Sequence, residues 1–187
     1  MNPLPPLALI VIAGPQASGK STLAAALSHE LRQAGERVAL VELDQIAAMA
    51  LPTLPDWETA HRIFESVTGQ WLRSSLTCVI AEGSGSYEEV LRIIDQAPAG
   101  TPVVTVALTA PFSVAFERAQ RDPSRGVSRE RVFLEGIYQQ WPDELARFQS
   151  RVLLDTNELG LQRSVELTRT AIATVRQEHS TTNSLPR

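Results

Sequence analysis

The residues most able to do chemistry lie near the start of the chain, where Gly14 to Ser21 read Gly-Pro-Gln-Ala-Ser-Gly-Lys-Ser and Thr22 follows. The pattern Gly-x-x-x-x-Gly-Lys-Ser suits a loop that wraps an anionic phosphate. Gly14 and Gly19 permit backbone angles that a side chain obstructs. The amides from Gly14 through Gln16, Ala17, Ser18, Gly19 and Lys20 to Ser21 and Thr22 can then turn inward at the start of a helix. Lys20 supplies a point charge for the β- and γ-phosphates, and the Ser21 hydroxyl is the expected ligand of a Mg²⁺ that keeps most of its waters. Of the 17 basic residues, Lys20 is the only lysine. A composition that otherwise uses arginine keeps lysine where the loop needs a compact ammonium. These residues predict a nucleoside triphosphate site.

Two carboxylates extend it. Asp44 follows the apolar run 37–43, and Glu82 follows Cys78-Val-Ile-Ala81. Asp44 suits a base that takes a proton from an acceptor hydroxyl, or a holder of a magnesium water, and its alternative is a helix cap. Glu82 stands where a carboxylate would act on Mg²⁺ through water, and its alternative is a solvated acid at a strand end. Arg118, Arg121, Arg125, Arg129 and Arg131 crowd a segment holding only two acids, Asp122 and Glu130. A guanidinium fork pairs bidentately with phosphate oxygens. Arginines on a Pro- and Gly-containing break between two helices predict a lid at about 118–130 that closes over the triphosphate. Arg118, Arg121 and Arg125 are its expected working residues, and Arg129 and Arg131 read as a solvated face.

The elements that must position these residues alternate. Apolar runs at 7–13, 37–43, 77–82, 102–108 and 151–155 are short enough for buried parallel strands, and helical patterns separate them. Helices are expected over 22–34, 45–50, 57–74 with Asp56 as cap, 87–96, 110–121, 129–140 with Ser128 as cap, and 159–177. Pro142 predicts a break before a short piece to 148, and the polar tail from His179 is expected to fray. The pattern predicts a three-layer α/β/α sandwich with one parallel sheet. In such sheets ligands bind beyond the C-terminal ends of the strands, here near Gly14, Asp44, Glu82, Thr109 and Asp155.

Composition sets the bounds. At 187 residues and 43% hydrophobic content the chain fits one domain, with an acceptor-binding insertion at about 45–75. A net charge of −4 argues against a broad nucleic-acid footprint. The lone Cys78 sits in an apolar run and reads as buried and inert. With neither a charged leader nor a run of ~20 apolar residues, the chain is expected to be cytoplasmic. An Asn-Lys-x-Asp guanine motif cannot exist without a second lysine, and a Leu-Ser-Gly-Gly-Gln transporter signature is missing.

With these residues placed, the chain resembles the small P-loop kinases of the nucleoside-monophosphate-kinase-like group. Within that group it is most similar to the chloramphenicol phosphotransferase, gluconate kinase and polynucleotide kinase branch. The resemblance rests on residues 14–22, Glu42-Leu-Asp44, Val79-Ile-Ala-Glu-Gly83, Leu108-Thr-Ala-Pro111 with Glu117-Arg-Ala-Gln-Arg121, and Asp155-Thr156. It implies strand order 2-3-1-4-5, ATP and Mg²⁺, and an adenine-contacting loop at Asp155, Thr156 and Asn157. The expected activity is transfer of the γ-phosphate of ATP to a hydroxyl of a small molecule. A polynucleotide 5′-hydroxyl kinase and a nucleotide-dependent switch or assembly ATPase are the alternatives. Trp57, His61, Phe64 and Trp71 are candidates for an aromatic acceptor pocket, with helix core as the competing reading for most of them and a surface position for His61. Residues 45–75 match no acceptor signature.

Overall fold

The computed structural model describes residues 4–183. Five parallel strands form one sheet in the order β2-β3-β1-β4-β5, with β1 Ala8–Ala13, β2 Val38–Glu42, β3 Cys78–Glu82, β4 Val103–Thr109 and β5 Val152–Asp155. The centre is apolar on both faces. Leu9, Val11 and Ala13 of β1 face one core with Val79 and Phe64, while Ala8, Ile10 and Ile12 face another with Leu23, Leu27 and Leu154. Burying each such Leu or Ile contributes roughly 1.5–3 kcal/mol, which is why β1 reads as a continuous apolar run rather than an alternating one.

Helices α1 Lys20–Gln33 and α7 Leu161–Asn183 cover one face. On the other face α3 Trp57–Leu72 and α4 Tyr87–Ile94 pack with the short α2 Leu43–Ala48. Because every strand is parallel, β1, β2 and β3 end on one edge. Helices α1, α2 and α4 start there, and α3 starts on the same side before returning to the beginning of β3. Register makes this edge specific: Glu82 lies opposite both Ile12 and Glu42. The opposite edge is tied structurally. Arg176 of α7 donates to both Glu36 carboxylate oxygens at 2.9 and 2.8 Å and to the Thr77 carbonyl at 2.7 Å.

The segment expected at about 118–130 to be a lid runs from the end of α5 Phe112–Arg121 through a 3₁₀ segment Pro123–Arg129 to the start of α6 Arg131–Arg147. Three expectations change here and at the C-terminus. Helix α6 passes through Pro142 instead of breaking. A proline inside a helix costs ~3 kcal/mol, but Trp141 is buried beside it, and Glu144 and Arg147 bind the start of α4. Its N-cap is Glu130, without a side-chain cap bond, so Ser128 belongs to the 3₁₀ segment. Helix α7 continues to Asn183 where a frayed tail from His179 is expected. Ser180 and Thr181 donate to the carbonyls of Arg176 and Gln177 at 2.9 and 3.0 Å, satisfying their hydroxyls inside the helix. The expected tail at 184–187 lies outside the described residues. Asp56 caps α3 as expected, accepting from the Thr59 amide at 2.6 Å. No helix among the described residues is long and apolar enough to cross a membrane.

Candidate active site at the phosphate loop

Between β1 and α1 the chain makes the tight loop that the glycines predict. Ala17 has φ 61 and Gly19, at the N-cap of α1, has φ 104, so two left-handed residues turn the backbone within one loop. Gly14 is required by space. A Cβ there would lie 2.9 Å from both the Leu108 carbonyl oxygen and Ser18 Oγ. The Ser18 hydroxyl is fully buried and has no hydrogen-bond partner, an orphaned polar group of the kind a ligand oxygen satisfies.

Lys20 and Ser21 open α1 and meet the end of β3. The Lys20 ammonium donates to the carbonyls of Gly14 at 2.8 Å and Pro15 at 3.2 Å, and lies 3.7 Å from Glu82 Oε1. Ser21 Oγ donates to Glu82 Oε2 at 3.4 Å. Glu82 is buried, and its carboxyl is pushed up to about 7. Burial dominates, the charges of Asp44 and Glu42 add to it, and Lys20 and Ser21 oppose it. Two like-charged neighbours around a buried carboxylate next to a serine hydroxyl form a donor set suited to a hard cation that keeps waters. Among the described residues no cluster of three or more His, Cys, Asp and Glu could by itself hold a metal ion.

Asp44 is displaced from its expected place. Strand β2 ends at Glu42, and Asp44 lies in the first turn of α2, where its carboxylate makes no cap bond. Its charge still reaches the site, since it raises the pKa of both Glu42 and Glu82. The helix cap considered as its alternative role is therefore not made, and Glu42 is a third site carboxylate that its place in a strand concealed.

The arginines separate into two groups. Arg118 turns inward and donates to Thr156 Oγ1 and to the Thr156 carbonyl, both at 2.9 Å, while Thr156 Oγ1 donates to the Ser18 carbonyl at 2.7 Å. The expected adenine loop is thereby fastened to the phosphate loop, with Asp155 and Asn157 closing a local turn at 2.8 Å. Arg121 and Arg125 lie outward on the lid, paired with Glu117 and Asp122. Arg131 is exposed, as expected of a solvated face, and is also held by two rings. Its guanidinium stacks over Phe112 and Phe116 at 5.4 and 5.5 Å. The lid base rests on the loop itself: Ala17 packs with Ala115, Ala119 and Leu134, and the Tyr138 hydroxyl donates to the Gln16 carbonyl at 3.1 Å.

On the acceptor side, Phe64 is core while Trp57 and Trp71 are exposed, and Trp71 sits at the far end of α3. His61 is not a surface histidine. Its Nδ1 lies 2.7 Å from Glu89 on α4, with only 16% of the side chain accessible. Sequence reasoning missed Glu89 altogether, because its partners come from another helix and from a loop. A groove of about 910 Å³ runs between α1 and α7, lined by His29, Leu161, Val165 and Arg169. None of the residues Gly14 to Thr22 lines it, so the convergence of polar groups at the sheet edge outweighs its size.

A model of the AAA domain matches residues 9–150. No curated protein sequence matches the chain. Among solved structures, a gluconokinase from Sinorhizobium meliloti 1021 is 19% identical with a TM-score of 0.64, over 98% of this chain and 100% of that one. A shikimate kinase from Acinetobacter baumannii in complex with shikimate is 21% identical with a TM-score of 0.60, over 96% of each chain. The Mycobacterium tuberculosis APS kinase in complex with AMPPNP and APS is 16% identical with a TM-score of 0.66, over 90% of this chain and 99% of that one. Identities this low carry the fold, which is that of the small P-loop kinases.

Proposed function

The chain belongs to the AAA domain family, and from that membership and the site we propose that it is an ATP-dependent phosphotransferase acting on a hydroxyl of a small molecule. The observation that carries this reading is the meeting of Lys20, Ser21 and Glu82 within 3.7 Å at the end of the sheet, with Asp44 close by and a lid based on the loop. A nucleotide-dependent switch or assembly ATPase would not require both a candidate base at Asp44 and an arginine lid.

In this reading the loop amides and Lys20 hold the triphosphate, and Ser21, Glu82 and Asp44 hold Mg²⁺. When bound, Mg²⁺ neutralises charge on the phosphates. Asp44 accepts the proton of the acceptor hydroxyl as its oxygen bonds to the γ-phosphorus and the bond to the β-phosphate oxygen breaks, leaving ADP. Arg121 and Arg125, swung inward with the lid, stabilise the transferring group, and Arg118 fixes the base-side loop of Asp155, Thr156 and Asn157. Catalysis is mostly positioning and charge neutralisation. A cytoplasmic location goes with this use of ATP.

ADP release measured against gluconate, shikimate, adenosine phosphosulfate, nucleosides, aminoglycosides, chloramphenicol and a 5′-hydroxyl oligonucleotide tests the reading. One small acceptor should stimulate turnover strongly, and Asp44→Asn should abolish the stimulation. Stimulation by the oligonucleotide alone would move the acceptor class to nucleic acid, and none at all would oppose a kinase.

A further inference from the structure

We propose that His61 and Glu89 form a positioning pair that locks the 83–85 loop against the phosphate loop and so sets where the acceptor sits, an inference that rests on the kinase reading. Topology places the pair at the site. Helices α3 and α4 both begin at the strand-end edge, His61 lies in the second turn of α3, and Glu89 lies in the first turn of α4.

Glu89 is almost completely buried, accepts two hydrogen bonds and lies against the His61 ring. Its Oε1 accepts from the Gly85 amide at 3.1 Å, while its Oε2 accepts from Ser84 Oγ at 3.1 Å and lies 2.7 Å from His61 Nδ1. The loop it holds has no slack. A Cβ on Gly83 would fall 2.1 Å from Glu89 Oε1, and one on Gly85 would fall 2.5 Å from the Gly14 nitrogen. A continuous stack therefore runs from the acceptor-side helix through Glu89 and the 83–85 loop to the first glycine of the phosphate loop. Glu82 immediately precedes that loop but is held separately by Lys20 and Ser21, so loosening the lock moves the acceptor side while the ATP side keeps its contacts.

A buried carboxylate with one amide and one hydroxyl donor is undercompensated, and the imidazolium of His61 completes it. The charged groups acting on His61 are Glu89 and Arg92 of α4 and Glu58 of its own helix. Arg92 is itself held by Glu65 at 2.6 Å. The Glu89 carboxylate beside its ring outweighs burial and Arg92, so His61 keeps its proton to higher pH than a free imidazole. The lock therefore weakens as pH rises through the His61 titration.

The test compares wild type with His61→Gln and Glu89→Gln, using whichever compound of the acceptor panel is phosphorylated fastest. The KM for ATP should stay within about twofold. The kcat/KM for the acceptor should fall about 10–100-fold, the cost of misplacing reacting groups by about an ångström. The alkaline limb of the wild-type profile should coincide with the His61 titration followed by NMR and vanish in His61→Gln. Equal losses for ATP and acceptor, or an unchanged pH profile, would overturn the proposal. If wild type phosphorylates nothing, the kinase reading fails separately, and the pair is judged by exchange of the Gly85 amide. Slow exchange that quickens in His61→Gln supports the lock, and identical exchange overturns it.

Discussion

Glu82 is a buried carboxyl at the end of β3, set between the Lys20 ammonium and the Ser21 hydroxyl. Four apolar strand residues followed by a carboxylate announced it, because a strand in a buried parallel sheet has no reason to end in an acid unless the edge is functional. The sequence could not show that burial, helped by the nearby charges of Asp44 and Glu42, pushes its carboxyl up to about 7. An unfolded glutamate titrates near 4.5, and Glu82 in the fold titrates near about 7. Between those values the folded protein retains a proton that the unfolded chain has released. Glu82 therefore favours folding fully below the unfolded value, and that contribution is lost as pH rises through about 7. The span corresponds to about 3 kcal/mol. Denaturant unfolding without divalent ions should show wild type losing about that much more stability than Glu82→Gln between pH 4.5 and 8. Parallel pH profiles would contradict it. His61 and Glu89 were illegible for a different reason: they come from different helices, and only the packing of α3 on α4 makes them a pair.

At the scale of elements, the break between α5 and α6 was visible from its Pro and Gly among arginines, and the anchoring of those helices on the phosphate loop was not. The packing of Ala17 against α5 and α6, and the Tyr138 bond to the loop, join positions far apart in sequence. Pro142 misled because a local rule met a larger tertiary gain, the burial of Trp141 and the grip of α6 on α4. The arginines divide by the same logic. Arg118 is committed to Thr156, whereas Arg121 and Arg125 make exposed pairs with Glu117 and Asp122 that are worth ~0–1 kcal/mol and are readily exchanged for phosphate. Arg121→Ala and Arg125→Ala should therefore leave the thermal midpoint nearly unchanged while lowering turnover on the order of 10³-fold, as for arginines that stabilise a transferring phosphoryl group elsewhere. Nearly full turnover in both variants would remove the lid arginines from the mechanism.

The whole molecule is an arrangement for bringing loops to one edge of a sheet. Alternating apolar runs and helical patterns made that architecture legible, and the observed strand order is the one the resemblance implies. The two edges differ in kind. Glu36, Thr77 and Arg176 tie the strand starts structurally, and Lys20, Glu82, Asp44 and the lid gather at the strand ends. Residues 45–75 gave no acceptor pattern to read, because the side chains that stand out on α3, Ala60, Phe64 and Leu72, answer to the core. The most direct measurement is the fate of the γ-phosphate, followed with label at that position in ATP plus Mg²⁺ and the acceptor panel. Label should move into one small hydroxyl compound in step with ADP formation, with little inorganic phosphate, and Asp44→Asn should stop the transfer. Label released only as inorganic phosphate, at a rate indifferent to every acceptor and to Asp44→Asn, would contradict the kinase account.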